Sequence, residues 1–111
     1  MSRSMMRGYR QNLLTEETTG TSPAFAVPPS LKNHTIYIIG SHGVSAGAVT
    51  VEVATNPDAP DTEWAPLGGS PITVQEDECV VYAFEGVYGA VRVNITTDVE
   101  GGTVTVDYVA A

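Results

Sequence analysis

Val91-Arg92-Val93-Asn94-Ile95 carries the clearest statement of fold in this chain: valine and isoleucine alternate with arginine and asparagine, residue by residue. A period of two places successive side chains on opposite sides of a strand, so one face is apolar and the other wet. The same alternation recurs in Val49-Thr50-Val51-Glu52-Val53 and in Val104-Thr105-Val106-Asp107-Tyr108. Three strands of this kind suit antiparallel sheets with one solvated side. Two other runs differ. In Thr35-Ile36-Tyr37-Ile38-Ile39 and in Cys79 to Phe84 both faces are apolar. Those strands are either central or covered on the outside by something else, and a neighbouring subunit is one such cover.

Between these runs lie Gly40 to Gly47, Gly68-Gly69-Ser70-Pro71, Gly86 to Gly89 and Glu100-Gly101-Gly102, where glycine supplies the backbone angles of tight turns. About eight short strands result, and nothing after Thr21 keeps helical spacing for ten residues. The fold class is therefore all-β, a single antiparallel β-sandwich of jelly-roll or immunoglobulin-like connectivity. Pro28 and Pro29 follow Phe25-Ala26-Val27, which makes that strand an edge. Trp64, Leu67, Ile72 and Val74 join the inward set.

Residues 15–23 are rich in threonine and glycine without apolar period and read as linker, dividing a flexible N-terminal arm and linker (1–23) from a β-sandwich domain (24–111). In the arm, Met5, Met6, Tyr9 and Leu13 fall on one arc of a helix with Arg3, Arg7 and Arg10 beside them. Gly8 and the shortness of the segment predict disorder until a partner holds it. No apolar stretch of seven or more occurs in the first 30 residues, so a secretory leader is not expected, and long apolar runs fit for a membrane are missing.

At 111 residues the chain has room for one domain, and with 42% apolar and 16% charged residues it is expected to fold. Its net charge of −8 is uneven: three of five basic residues fall within the first ten positions, and all thirteen acidic residues lie from Glu16 onward. An acidic body repels phosphate backbones, which argues against nucleic acid as its partner. About sixteen inward side chains, each worth roughly 1.5–3 kcal/mol gross, are set against about 1–2 kcal/mol for every residue ordered. That thin margin, with no internal disulfide open to a single cysteine, predicts a homo-oligomer, with Tyr37 and Ile39 packing between subunits.

Catalytic, cofactor and metal residues are not expected. His34 and His42 lack partners at ligand spacing, Ser41-His42 has no orienting third group, and Glu76-Asp77-Glu78 reads as a solvated turn. Cys79 reads as a buried inert thiol. The tripeptides Asn33-His34-Thr35 and Asn94-Ile95-Thr96 match glycosylation acceptors by chance. The loop from Asn56 to Glu63 offers Asp58, Asp61 and Glu63 as oxygen ligands without the spacing of a calcium helix-loop-helix motif, and reads as a rigid acidic loop leading into Trp64.

The order of features, with Val53-Ala54-Thr55-Asn56, a loop ending at Trp64, Leu67-Gly68, the run from Tyr88 to Thr96, and Gly102 to Val106, resembles small β-sandwich virion proteins of tailed bacteriophages over residues 24–111. What the resemblance implies is a capsid decoration, or cement, protein. It would be a trimer on the capsid surface, made in the host cytoplasm, with the major capsid protein as partner. Its N-terminal arm (Arg3, Met5, Met6, Arg7, Tyr9, Arg10 and Leu13) would grip neighbouring shell subunits. The alternatives are a tail, connector or fibre component, or a carbohydrate- or receptor-binding sandwich using Trp64, Tyr82 or Tyr88.

Overall fold

A computed structural model describes residues 9–111. Among these residues ten strands form two antiparallel sheets. Sheet A has the order β1-β10-β4-β8, from β1 (Tyr9–Glu17), β10 (Val104–Ala110), β4 (Asn33–Gly40) and β8 (Cys79–Glu85). Sheet B runs β2-β9-β5-β6, from β2 (Gly20–Thr21), β9 (Ala90–Glu100), β5 (Ala46–Ala54) and β6 (Ala65–Pro66). The short β3 (Phe25–Ala26) also pairs β9, and β7 (Ile72–Thr73) pairs β5. The all-β class read from the alternating valines is the fold observed.

The core forms because the alternation turns one row of each strand inward. Val49, Val51 and Val53 of β5 and Val91, Val93 and Ile95 of β9 are buried, facing Ile36 and Ile38 of β4 and Val104, Val106 and Tyr108 of β10. Together they make one contiguous apolar cluster that both sheets share, within a molecule only 21 Å along its shortest axis. Two layers about 10 Å apart, plus the outward side chains, account for that thickness. Phe25 does pair only with β9, at an edge, where the two following prolines have no ladder to interrupt.

The structure departs from expectation at the N-terminal side. Tyr9–Glu17, assigned above to a flexible arm and a linker, is a nine-residue strand paired with β10 from Tyr9↔Ala110 to Glu17↔Val104. The adjacent Leu13 and Leu14 are both buried. A regular strand cannot turn two neighbours inward, and the register shifts between Asn12 and Leu14 to admit both. That bulge hides the period of two. Arg3, Met5, Met6 and Arg7 lie outside the described residues.

A second departure is Cys79, which is exposed. It begins β8 on the outward row, opposite Ile39 of β4. In an apolar run on an edge strand, every second residue still faces out.

Candidate docking face

The two sheets turn very different outer surfaces to solvent. On sheet B the outward positions of β5 and β9 close on one another. The Arg92 Nε donates to Glu52 Oε1 at 2.7 Å across the β5–β9 pair, and its Nη1 donates to Asp61 at 3.1 Å. The guanidinium lies 4.3 Å from the centre of the Trp64 ring, so a cation–π contact joins two charge-assisted hydrogen bonds. Beside it the Thr50 and Thr96 hydroxyls meet at 3.2 Å, and Thr21 donates to Asn94 at 3.0 Å. This face satisfies itself.

Sheet A does not. The register aligns Tyr37 with Val81 and Asp107, Ile39 with Cys79 and Thr105, and Thr35 with Ala83 and Val109. On β4 and β10 each of these side chains alternates with a buried one, and on β8 with a half-buried one, so they form the outward rows. Val81 is 58% exposed and Ile39 37%, although both sit where a strand in water ordinarily carries a polar residue. Arg10 and Asn12 complete the rows on β1, opposite Val109 and Asp107. A shallow depression lined by Arg10, Asn12, Tyr37, Ile39, Asp107 and Val109 marks its centre. The predicted packing residues Tyr37 and Ile39 are thus neighbours on one open face, and Val81 and Cys79 belong beside them. The doubly apolar pattern of the β8 run carried that signal.

Of the proposed arm residues, Tyr9 is exposed at the edge and Arg10 stands on the open face, while Leu13, at 5% exposed, is taken up by the chain's own core. The aromatic side chains considered for sugar binding are committed internally. Trp64 is 7% exposed and its Nε1 donates to the Ala59 carbonyl at 3.0 Å. The hydroxyls of Tyr82 and Tyr88 donate to the carbonyls of Gly68 (2.5 Å) and Glu85 (3.1 Å).

Both histidines find partners that sequence spacing hides. His34, 1% exposed, lies on the inward row of β4 two residues before Ile36. Its ring stacks on Phe84 at 4.7 Å and on Tyr108 at 5.9 Å. Its Nε2 is 2.8 Å from the Gly86 carbonyl and its Nδ1 2.6 Å from the Tyr108 hydroxyl. A carbonyl only accepts, so Nε2 carries the proton, and Nδ1 accepts from Tyr108. Burial pushes the Tyr108 hydroxyl up to about 12. This is a packed structural histidine. His42 lies instead in the β4–β5 loop with its Nδ1 3.0 Å from Asp77 and 3.8 Å from Glu76. The hydrogen bond to Asp77, then the charges of Asp77 and Glu76, raise its pKa. These three are the only trio among the described residues with ligand atoms close enough for a metal ion, and all are exposed. Asp61 of the acidic loop is held by Arg92.

No protein-family model matches the chain, and no curated protein matches it. Among solved structures the chain is similar to the SPBc2 prophage-derived protein YomS, with a TM-score of 0.64 and 13% identity over 99% of this chain and 97% of that one. It is also similar, at a TM-score of 0.49 and 10% identity over 94% and 86% of the two chains, to a chain from work described as "Bacillus endospore appendages form a novel family of disulfide-linked pili". The first likeness establishes a shared fold, and the second is too distant to carry an argument. No helix among the described residues is long and apolar enough to cross a membrane.

Proposed function

We propose that this chain is a structural virion protein of a tailed phage, a decoration or cement protein that binds the capsid surface and stabilises it as a homo-oligomer. The observation that carries the proposal is the outer face of sheet A, where Tyr37, Ile39, Val81 and Cys79 stand together, with Arg10, Asp107 and, at the end of β8, Glu85 as the charged residues in their rows among those described. An acidic chain that leaves one sheet face apolar and nearly uncharged is built to cover that face with protein. The fold shared with a prophage-derived protein supports a phage setting. So does the strand order: the first and last strands lie side by side in sheet A, and most connections cross between sheets. We read this as a jelly roll, an architecture that viral capsid subunits use along with lectins and other modules.

In this reading the protein works by mass action. A subunit that binds only the assembled shell favours the intact form by RT ln(1 + [L]/Kd) per site, about 2.7 kcal/mol at a hundredfold excess over Kd. Contacts with neighbouring chains fall to the outer face of sheet A, to Arg10, and to the preceding residues Arg3, Met5, Met6 and Arg7. Leu13 is withdrawn from that set, because its side chain is part of the core.

The test is binding of the purified protein to undecorated capsids, followed by electron microscopy of purified particles with copy number. Density at symmetric positions on the shell, in threes, is the expected result. Density confined to tail, connector or fibre supports the other virion assignment. Failure to enter particles at all removes the reading.

A further inference from the structure

The edges of the two sheets are unequally protected, and one of them is open. Sheet B ends in strands of two residues each, β2, β3, β6 and β7, with Pro23, Pro28, Pro66 and Pro71 in or beside them. At the other end of sheet A, β1 is broken by two register shifts and ends in Glu16 and Glu17, the former at φ 49. These are ordinary ways of blunting an edge against pairing. The edge strand β8 has none of them beyond its terminal charge, Glu85. It pairs with β4 without a shift from Cys79 to Glu85, and contains neither proline nor glycine.

Hydrogen bonds at both ends of β8 show which backbone groups are left over. The Gly40 N–H donates to Glu78 and the Gly86 N–H donates to Lys32. In an antiparallel ladder the paired positions alternate, so Val80, Tyr82 and Phe84 bond to β4, opposite Ile38, Ile36 and His34. The N–H and C=O groups of Cys79, Val81, Ala83 and Glu85 therefore point away from β4, along the open edge. The charges on β8 and just before it are acidic: Glu76, Asp77 and Glu78 precede it, the first two beside His42, and Glu85 ends it, with Lys32 lying next to Glu85.

We propose that the β8 edge accepts an added strand, and that the strand is residues 1–8 of a neighbouring copy. That segment is Met1-Ser2-Arg3-Ser4-Met5-Met6-Arg7-Gly8, two methionines between two arginines, with no acidic residue before Glu16. In an extended strand Arg3, Met5 and Arg7 share one face and Met6 takes the other. With Ser4 (parallel) or Gly8 (antiparallel) opposite Cys79, Met6 comes opposite Val81, and Arg3 comes beside Glu78 or Glu85, respectively, at one acidic end of β8. Eight extended residues span about 26 Å, the length of a seven-residue strand and slightly more. Main-chain bonds along the ladder supply affinity and the flanking charges supply selectivity, as in other strand additions. Residues 1–8 precede β1, at the opposite end of sheet A from β8. Donation from copy to copy therefore runs head to tail and closes into a ring when the rotation permits, the trimer being one such ring. This rests on the oligomer in the proposed function, not on its place in a particle.

The experiment uses two full-length chains in purified form. One carries Cys79→Ser with Ser4→Cys or Gly8→Cys, and the other carries an affinity tag and the native Cys79. Mild oxidation of the mixture is expected to give a disulfide between the two chains, from Ser4→Cys if the added strand is parallel and from Gly8→Cys if antiparallel. Val81→Pro in the tagged chain is expected to abolish that product and reduce the mass in light scattering to one chain. Its fold survives because the Val81 N–H serves no partner in the chain's own ladder. Ala83→Pro is the companion variant on the same grounds, with circular dichroism confirming folding of each. A mixed disulfide that persists in both folded proline variants, or none from either cysteine, overturns the proposal. So does a link that forms only between like chains. A chain that is monomeric throughout sinks the oligomer itself, whereas failure to bind capsids leaves the cross-link result untouched.

Discussion

The outer faces of the two sheets have nearly the same backbone geometry and opposite chemistry. On sheet B, Arg92 reaches Glu52, Asp61 and the Trp64 ring at once, and threonine hydroxyls meet across β5 and β9. The charged groups and threonine hydroxyls at the centre of that face have their partners inside the same chain. On sheet A the corresponding positions hold Tyr37, Ile39, Val81 and Cys79, and among the described residues no other element folds over them. The first face contributes to the stability of the subunit. The second, left uncovered, contributes only once another molecule covers it.

The largest effect is expected where sheet B closes. Arg92→Ala removes a guanidinium whose side chain is only 15% exposed and leaves Glu52, 14% exposed, without its cation. Breaking such a pair from one side leaves an uncompensated, largely desolvated charge, for which about 3 kcal/mol is the expected cost. In a domain of this size that lowers Tm by about 15 °C in calorimetry. The contrast between the faces fails if Arg92→Ala melts like the parent. Next in size is Tyr108→Phe, on the inward side of sheet A. It leaves the buried His34 Nδ1 without its donor, at about 2 kcal/mol in denaturant unfolding. A cost near zero would mean that water reaches that ring.

How far these residues were legible in the sequence follows from what each signal requires. The inward rows of β5, β9 and β10 could be read because alternation is local, and Val49, Val51, Val91, Val93, Val104 and Val106 are indeed buried. The doubly apolar runs were equally local, and the structure makes their strands, β4 and β8, neighbours. Lost were features that depend on register or on crossing between loops. Arg92 and Glu52 are forty residues apart and meet only through the β5–β9 pairing. His42 meets Glu76 and Asp77 from a different loop. The Leu13–Leu14 bulge mixed the two periods, so a strand was read as part of a flexible arm and linker. Trp64 was placed in the core by its apolar character, and what its position lacked in sequence was the lid formed by Arg92 and Ala59.

On the open face the expected effects on the isolated subunit are small. Tyr37→Ser and Val81→Ser each remove apolar surface that is already in contact with water. Exposed substitutions of this kind stay within about 0.5 kcal/mol of the parent in denaturant unfolding at concentrations low enough to keep subunits apart. At high concentration the same two variants are expected to lose the concentration dependence of Tm that association gives the parent. A variant at either position that destabilises the dilute subunit as strongly as Arg92→Ala would show that the face is already covered from within, and the contrast would be gone.

The smallest effect lies at the end of the molecule where both sheets turn. His42 has its pKa raised by the hydrogen bond to Asp77 and by the charges of Asp77 and Glu76. A group that holds its proton more tightly folded than unfolded stabilises the fold in its charged form. That contribution is complete below the unfolded value of about 6.5 and is lost as pH rises through the folded value. The melting temperature is therefore expected to be slightly higher at pH 5.5 than at pH 8, and the part due to His42 to vanish in His42→Asn. Because the pair is fully exposed, added salt is expected to erase it too. A pH dependence of unchanged size in His42→Asn would assign it to other groups, and one of opposite sign would mean that Asp77 and Glu76 do not hold the ring in solution.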